Sequence, residues 1–182
     1  MRTFALAAAA ALIAGCATAQ TAPHAGHAAP ATAPVPAPAA VAVASLKTPD
    51  GGDVGTVTAY AGSGGTLFVI DGKGWPAGWH GVHLHTVGKC EGPGFTTAGG
   101  HLNHADAPQP HGLLNPDGPD LGDLQNVHAG ADGAVQAEVW SPNAGQMIAG
   151  LSFLVHANRD DHHSQPIGGA GARIACGVFE SR

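Results

Sequence analysis

The sequence predicts an all-β domain, and three observations carry the prediction. With 28 Gly, 14 Pro and only 11% charged residues among 182, the chain is poor in helix formers and rich in turn formers. Apolar residues recur at every second position in several short runs, which is the period of a strand with one buried face. Gly-rich and Asp-Gly punctuation separates several of these runs.

The first segment is not expected to belong to the fold. Arg2 is followed by the apolar run FALAAAAALIAG (4–15), too short to span a bilayer as a mature helix, so residues 1–19 read as a signal peptide. Two cleavage points are written into it. ATA (17–19) before Gln20 is a small-x-small signal peptidase pattern, whereas IAGC (13–16) resembles a bacterial lipobox, which would make Cys16 the lipidated first residue of the mature chain. Either way the domain is expected outside the cytoplasm, periplasmic or extracellular, and membrane-anchored if Cys16 is lipidated. Residues 20–40 are Ala, Pro and Thr with little else and read as a semi-extended tether. Its HAGH (24–27) reads as solvated rather than as a metal site. The folded domain is expected over 41–182.

Within that domain, VAVASL (41–46) alternates, and DVGTVTAY (53–60) and TLFVID (66–71) are β-rich runs joined by the turn former GSGG (62–65). GWHGVHLHTV (78–87) alternates again. AVQAEVW (134–140) follows the hairpin signal Asp132-Gly133, and LSFLVHA (151–157) and RIACGVF (173–179) complete the strands. Two spans, 88–132 and 158–172, have no period. A compact domain keeps irregular loops this long only when they are functional and tied down.

The ties should be covalent and metallic. Export places Cys90 and Cys176 in an oxidising compartment, and an even pair there reads as a disulfide. Because it would close most of the domain into one loop, the chain-entropy model values it at about 4 to 5 kcal/mol. The stretch HLNHADAPQPHGLLNPDGPDLGDL (101–124) holds three histidines and four aspartates; turn chemistry accounts for its Pro, Gly and Asn but not for its histidines. His83 and His85, two apart on an expected strand, project from one face. Neutral imidazole suits copper and zinc, and a tetragonal all-nitrogen set suits Cu(II). A net charge of -6, with seven scattered Lys and Arg, excludes a nucleic-acid partner.

GVHLH, GKC, AGGH, HGLLNPDGP, LGDL, LVH and ARIACGV follow one another in an order and spacing that resemble the bacterial exported copper/zinc superoxide dismutases, over roughly 41–179. The resemblance implies a Greek-key β-sandwich or flattened barrel, immunoglobulin-like, with two long functional loops. It implies an enzyme that converts superoxide to dioxygen and hydrogen peroxide by cycling Cu(II) and Cu(I). Copper would be held by His83, His85, His101 and His156, with His101 bridging to zinc, and zinc by His101, His111 and Asp123. Arg173 would guide the anionic substrate and His101 would carry a proton. Asp160 would link a copper-ligand histidine to a zinc-ligand histidine, and Cys90–Cys176 would pin the metal loop to the last strand. Relatives include monomers and homodimers, so association into a homodimer is compatible with the resemblance.

At one position the chain departs from the family. A histidine is expected three residues before Asp123, and this sequence has Asp120. A carboxylate can take that place at about 2.0 to 2.2 Å from zinc, on a shorter arm and with an added negative charge. His104, in the same loop, is the alternative ligand, and an altered or weakened zinc site is the third outcome. The departure also keeps open a second function class, a non-enzymatic exported copper-binding module on the same fold. Arg173 argues for the enzyme, because a pure binding module does not need it.

Overall fold

The computed structural model describes residues 38–142, 144 and 148–182. The signal segment, Cys16, HAGH and the tether up to residue 37 lie outside the described residues. Among the described residues nine strands run in chain order: β1 Ala40–Lys47, β2 Asp53–Gly62, β3 Gly65–Gly72, β4 Gly78–His80, β5 Val82–His85, β6 Val127–Ala129, β7 Val135–Ser141, β8 Ser152–His156 and β9 Arg173–Ser181. Seven form one antiparallel sheet in the order β5-β8-β9-β1-β2-β3-β7, and β4 pairs with β6 in a second, two-stranded sheet. Consecutive strands pair along β1-β2-β3 and β8-β9, but β7 returns to β3 and β9 to β1, so the connections through β4–β6 cross between distant strands.

Alternation decides which side chains line the core. Ala42, Ala44 and Leu46 of β1, Val57 and Ala59 of β2, and Phe68 and Ile70 of β3 are buried, while several neighbours between them face water. Phe68, Phe153 and Phe179 meet at the centre with ring centroids 5.8 to 6.3 Å apart. Strands β5 and β8 differ because every residue in them is buried. On one side Val82, Leu84, Phe153 and Val155 join the core. The opposite positions hold His83, His85, Leu154 and His156, which stay dry only because long loops cover them.

Two elements differ from the sequence expectation. The run 78–87 is split at Gly81: its N–H donates to Asn158 O at 2.8 Å and its carbonyl accepts from His156 N–H at 2.9 Å, so β4 leaves the main sheet. Its partner β6 is only three residues long and sits inside the span expected to be irregular, where Trp79 pairs with His128 in register. A strand this short leaves too few residues for a period to show.

Candidate metal centre

His83 and His85 project from β5 and His156 from the end of β8; β5 and β8 are hydrogen-bonded neighbours, so a rigid sheet positions three imidazoles. His101 comes from the loop and reaches them through an isolated bridge to His85. The loop is laid onto β5 by backbone pairing. Leu84 N–H donates to Gly122 O (2.9 Å), Leu102 N–H to Leu84 O (2.8 Å) and Gly122 N–H to Leu102 O (2.8 Å). Position 122 must be glycine, because a Cβ there would lie 2.3 Å from Leu84 O.

Within this frame, one nitrogen of each of the four histidines is spoken for and the other is not. His83 Nε2 meets Asp160 Oδ2 at 2.8 Å; His85 Nδ1–H donates to Gly99 O at 2.9 Å and His156 Nδ1–H to Gly171 O at 3.0 Å; His101 Nδ1 meets Asp120 Oδ2 at 2.9 Å. His83 Nδ1, His85 Nε2, His101 Nε2 and His156 Nε2 are buried without a hydrogen-bond partner. One ligand atom from each of these residues lies within 4.8 Å of all the others. Buried polar atoms are normally paired; four orphaned ring nitrogens facing one another fit a cation that prefers imidazole and displaces the proton on His101.

A second cluster shares His83 and His101. His83, His101, His111 and Asp123 also offer ligand atoms within 4.8 Å of one another. His111 Nδ1 pairs closely with Asp123 Oδ1, and His101 Nδ1 lies 3.5 Å from the same oxygen. Asp120, 3% exposed, brings Oδ2 to His101 Nδ1, while its Oδ1 accepts from Gly122 N–H at 2.9 Å and its N–H donates to Asp123 Oδ2 at 3.1 Å. The donors of His101 and His111 therefore face two carboxylates, a nitrogen-oxygen set that suits zinc. Neither Asp120 nor His104 belongs to either group of four; Asp120 is buried and bonded to His101, whereas His104 is exposed. Asp160 stands behind both groups, with Oδ2 on His83 and Oδ1 3.2 Å from His111 Nε2.

The two clusters are opposite electrostatically. Burial pushes His83 down to about 3, His85 to about 2 and His156 to about 4, so all three are neutral and keep a lone pair. Burial acts in the same direction on His101 and His111, but their carboxylate partners outweigh it: His101 is raised by Asp120 and Asp123, and His111 is raised to about 10 by Asp123 and Asp160. In metal-free protein the His111 imidazolium stands in for part of the positive charge that a dication would supply. Asp123 and Asp160 are correspondingly held below the usual carboxylate range, against the opposing effect of burial.

Arg173, first in β9, donates from one terminal nitrogen to Phe95 O and from the other to Gly99 O, both at 2.7 Å. Gly99 O thus accepts from His85 and Arg173 together and fixes the guanidinium beside the histidine cluster. Cys90 and Cys176 form a disulfide with Cα atoms 5.7 Å apart. It ties the loop carrying Phe95 and Gly99 to β9, and Phe95, Ala98 and Leu154 pack around it. A shallow cleft of about 350 Å³ lies between Arg173 and the second cluster, lined by His101, Asn103, His111, Asp120 and Gln165 among others.

Of the residues expected from the sequence, the structure brings His83, His85, His101 and His156 into one group and His83, His101, His111 and Asp123 into another, sets Asp120 against His101, and leaves His104 apart. Sequence reasoning missed the backbone carbonyls of Gly99 and Gly171 and the side chains of Asn126, His162 and Gln165. None carries a spacing signal, because each acts through a contact between distant loops.

Comparison with known proteins agrees with this geometry. Residues 53–179 match the family described as Copper/zinc superoxide dismutase (SODC). The chain is 49% identical over 147 residues to the "Superoxide dismutase [Cu-Zn]" of Caulobacter vibrioides, covering 75% of this chain and 84% of that protein. Among solved structures it is similar to the Cu/Zn superoxide dismutase from Brucella abortus, with a TM-score of 0.65, 33% identity, and coverage of 76% of this chain and 98% of that one. It is also similar to a SOD-like protein from Bacillus subtilis, with a TM-score of 0.69, 30% identity, and coverage of 77% of this chain and 99% of the other.

Proposed function

The chain belongs to the copper/zinc superoxide dismutase family, and from that premise we propose which of its residues do the work and where. The enzyme turns two superoxide anions and two protons into dioxygen and hydrogen peroxide. In our assignment copper is held by His83, His85, His101 and His156, and zinc by His101, His111, Asp120 and Asp123. Bound copper supplies the one-electron couple, Cu(II) to Cu(I) and back. The observation that carries the assignment is the set of four orphaned imidazole nitrogens, joined through His101 to a neighbouring group with two carboxylates.

The side chains then divide the labour. His101 takes a proton on Nε2 in one half of the cycle and returns it in the other; its Nδ1, turned toward Asp120 and Asp123, leaves Nε2 as the nitrogen facing the copper group. Arg173 supplies a fixed cation whose two terminal nitrogens are aimed by Phe95 O and Gly99 O, so it can attract and orient a small anion at the cleft. Asp160 fixes the ring orientations of His83 and His111 together. A fixed guanidinium beside the cluster, together with family membership, favours the enzyme over a metal-storage module. The test is elemental analysis paired with a dismutation assay on the wild type and on His156→Ala. Copper content and turnover should be lost together; retention of full turnover without His156 would overturn the assignment.

Export is part of the same proposal, supported by Arg2, the apolar run 4–15 and the tether behind it. With Cys16 lipidated, the domain sits on a membrane at the end of its tether. Cys16→Ala should then move the protein out of the membrane fraction, whereas unchanged fractionation and an N-terminus at Gln20 would favour simple secretion.

A further inference from the structure

Two side-chain amides in the metal centre make an unusual pattern of bonds. Gln165, in the 157–172 loop, accepts from His111 N–H with Oε1 (3.0 Å) and donates to His111 O with Nε2 (2.7 Å). Asn126, just beyond Asp123, accepts from Asp160 N–H with Oδ1 (2.8 Å) and donates to Asp160 O with Nδ2 (2.8 Å). Each amide therefore grips both backbone groups of one metal-centre residue, as a strand neighbour would. The grips run in opposite directions: the 157–172 loop holds the 101–124 stretch, the zinc subloop, through Gln165, and the segment closing the zinc subloop holds the 157–172 loop through Asn126.

The contact between the loops is close enough to need this match. Leu114 N–H donates to His162 O at 2.9 Å, and a Cβ on Gly112 would lie 2.4 Å from that same oxygen, so the backbones touch where only glycine fits. Asn126 Nδ2 also donates to His162 Nε2 at 2.8 Å, which leaves His162 Nδ1 to carry the ring proton, 3.8 Å from Asp160 Oδ2. Gln165 Nε2 additionally donates to His163 O at 3.1 Å. None of these bonds uses a metal-binding atom. They form without metal and fix the backbone of His111, which offers Nδ1 to the second cluster, and of Asp160, which aims His83 and His111.

We propose that Gln165 and Asn126 are positioning residues of the zinc site, a reciprocal pair of amide clamps that hold His111 and Asp160 in register before metal arrives. The proposal rests on the assignment of His111 and Asp160 to the metal centre. It gives the site a metal-independent source of order, which matters more in this chain because Asp120 replaces a neutral imidazole by a shorter anionic arm. Outer partners of this kind are typically worth about 10- to 100-fold in metal affinity.

The test uses the mature chain and the variants Gln165→Ala, Gln165→Glu and Asn126→Ala. In metal-free protein, amide exchange at His111 and Asp160 should be slow in the wild type and accelerate at His111 in Gln165→Ala and at Asp160 in Asn126→Ala. Zinc affinity by chelator competition should fall about 10-fold or more in each alanine variant. Gln165→Glu keeps the acceptor for His111 N–H but places a carboxylate oxygen against His111 O, so it should fall as far as alanine although the acceptor remains. Cobalt(II) placed in the zinc site should show a changed visible spectrum in the variants, which a general loss of stability would not produce while the far-UV spectrum is intact. Wild-type exchange at His111 and Asp160 as fast as in the variants, or zinc affinity within two-fold across the series, would overturn the proposal. None of these measurements reads superoxide turnover, so a failure of the dismutase assignment would show separately, as zinc binding that follows the clamps in a protein without activity.

Discussion

Replacing Asp120 tests the point at which this chain departs from its family. In the metal-free structure Asp120 makes two side-chain bonds, accepting from Gly122 N–H at 2.9 Å and meeting the raised-pKa imidazole of His101 at 2.9 Å. The first is a neutral backbone donor worth about 0.5 to 1.5 kcal/mol net, and the second a charge-assisted bond worth about 1.5 to 3. Asp120→Ala should therefore cost about 2 to 4.5 kcal/mol in chelator-treated protein, roughly 6 to 14 °C in Tm for a domain of this size. Asp120→Asn keeps the oxygen for Gly122 and loses the charge, so it should lose only the His101 share. With metal present, both variants should bind zinc more weakly because neither offers a carboxylate oxygen. Asp120→His should bind zinc more tightly and melt higher than the wild type. Copper stoichiometry should hold throughout, since three of its four histidines stand on strands. Elemental analysis and calorimetry on the four proteins, with and without chelator, provide the measurement. An Asp120→Ala protein that keeps full zinc and the wild-type Tm would refute the reasoning and return His104 to consideration.

Two further outcomes follow from the same geometry. Arg173→Ala should retain copper and zinc but lower turnover by about 10-fold or more and flatten its dependence on ionic strength, whereas Arg173→Lys keeps the charge without the two-pronged hold on Phe95 O and Gly99 O and should fall between; unchanged salt dependence in Arg173→Ala would remove the steering role. Stability of metal-free protein should peak near pH 6.5: His83, His85 and His156 have folded pKa values below 6.5, so the unfolded chain binds more protons as pH falls and stability drops by up to about 4 kcal/mol per pH unit near pH 5. His101 and His111 have raised values, so their contribution is full below 6.5 and is lost as pH rises through each raised value, for His111 about 10. A Tm flat between pH 5 and 9 in chelator-treated protein would contradict these charge states.

What was legible in the sequence depends on the range over which each feature acts. The main strands show in the period of two, because each buries one face along consecutive residues, as Ala42, Ala44 and Leu46 do. Strand β6 and the break at Gly81 do not show, because both answer to partners far away in sequence, His128 to Trp79 and Gly81 to Asn158. Residue type flagged the 101–124 loop, whose histidines have no packing reason to be there, and the spacing of two flagged His83 and His85; the full ligand set came from the family resemblance. Its supports did not: Gln165 and Asn126 are ordinary loop residues until the fold sets them against His111 and Asp160. The place of Asp120 was open in the sequence, and its burial between His101, Gly122 and Asp123 favours the ligand reading over His104.

The two metal groups rest on different kinds of support, and this bears on where a ligand can be exchanged. His83, His85 and His156 stand on paired strands with core side chains behind them, so moving any of these rings would shift Val82, Leu84 or Val155 out of a close-packed interior. His111, Asp120 and Asp123 stand on a loop whose position comes from the disulfide, three backbone bonds around Leu84 and the amide clamps. A loop held by many separate small contacts can shift by a fraction of an ångström to accept a shorter ligand arm, at the loss of one contact rather than of the core. A histidine-to-carboxylate exchange should therefore cost less metal affinity in the zinc subloop than at His83, where it would bury an anion against Asp160 with no room to retreat; a His83→Asp protein that keeps full copper would refute this.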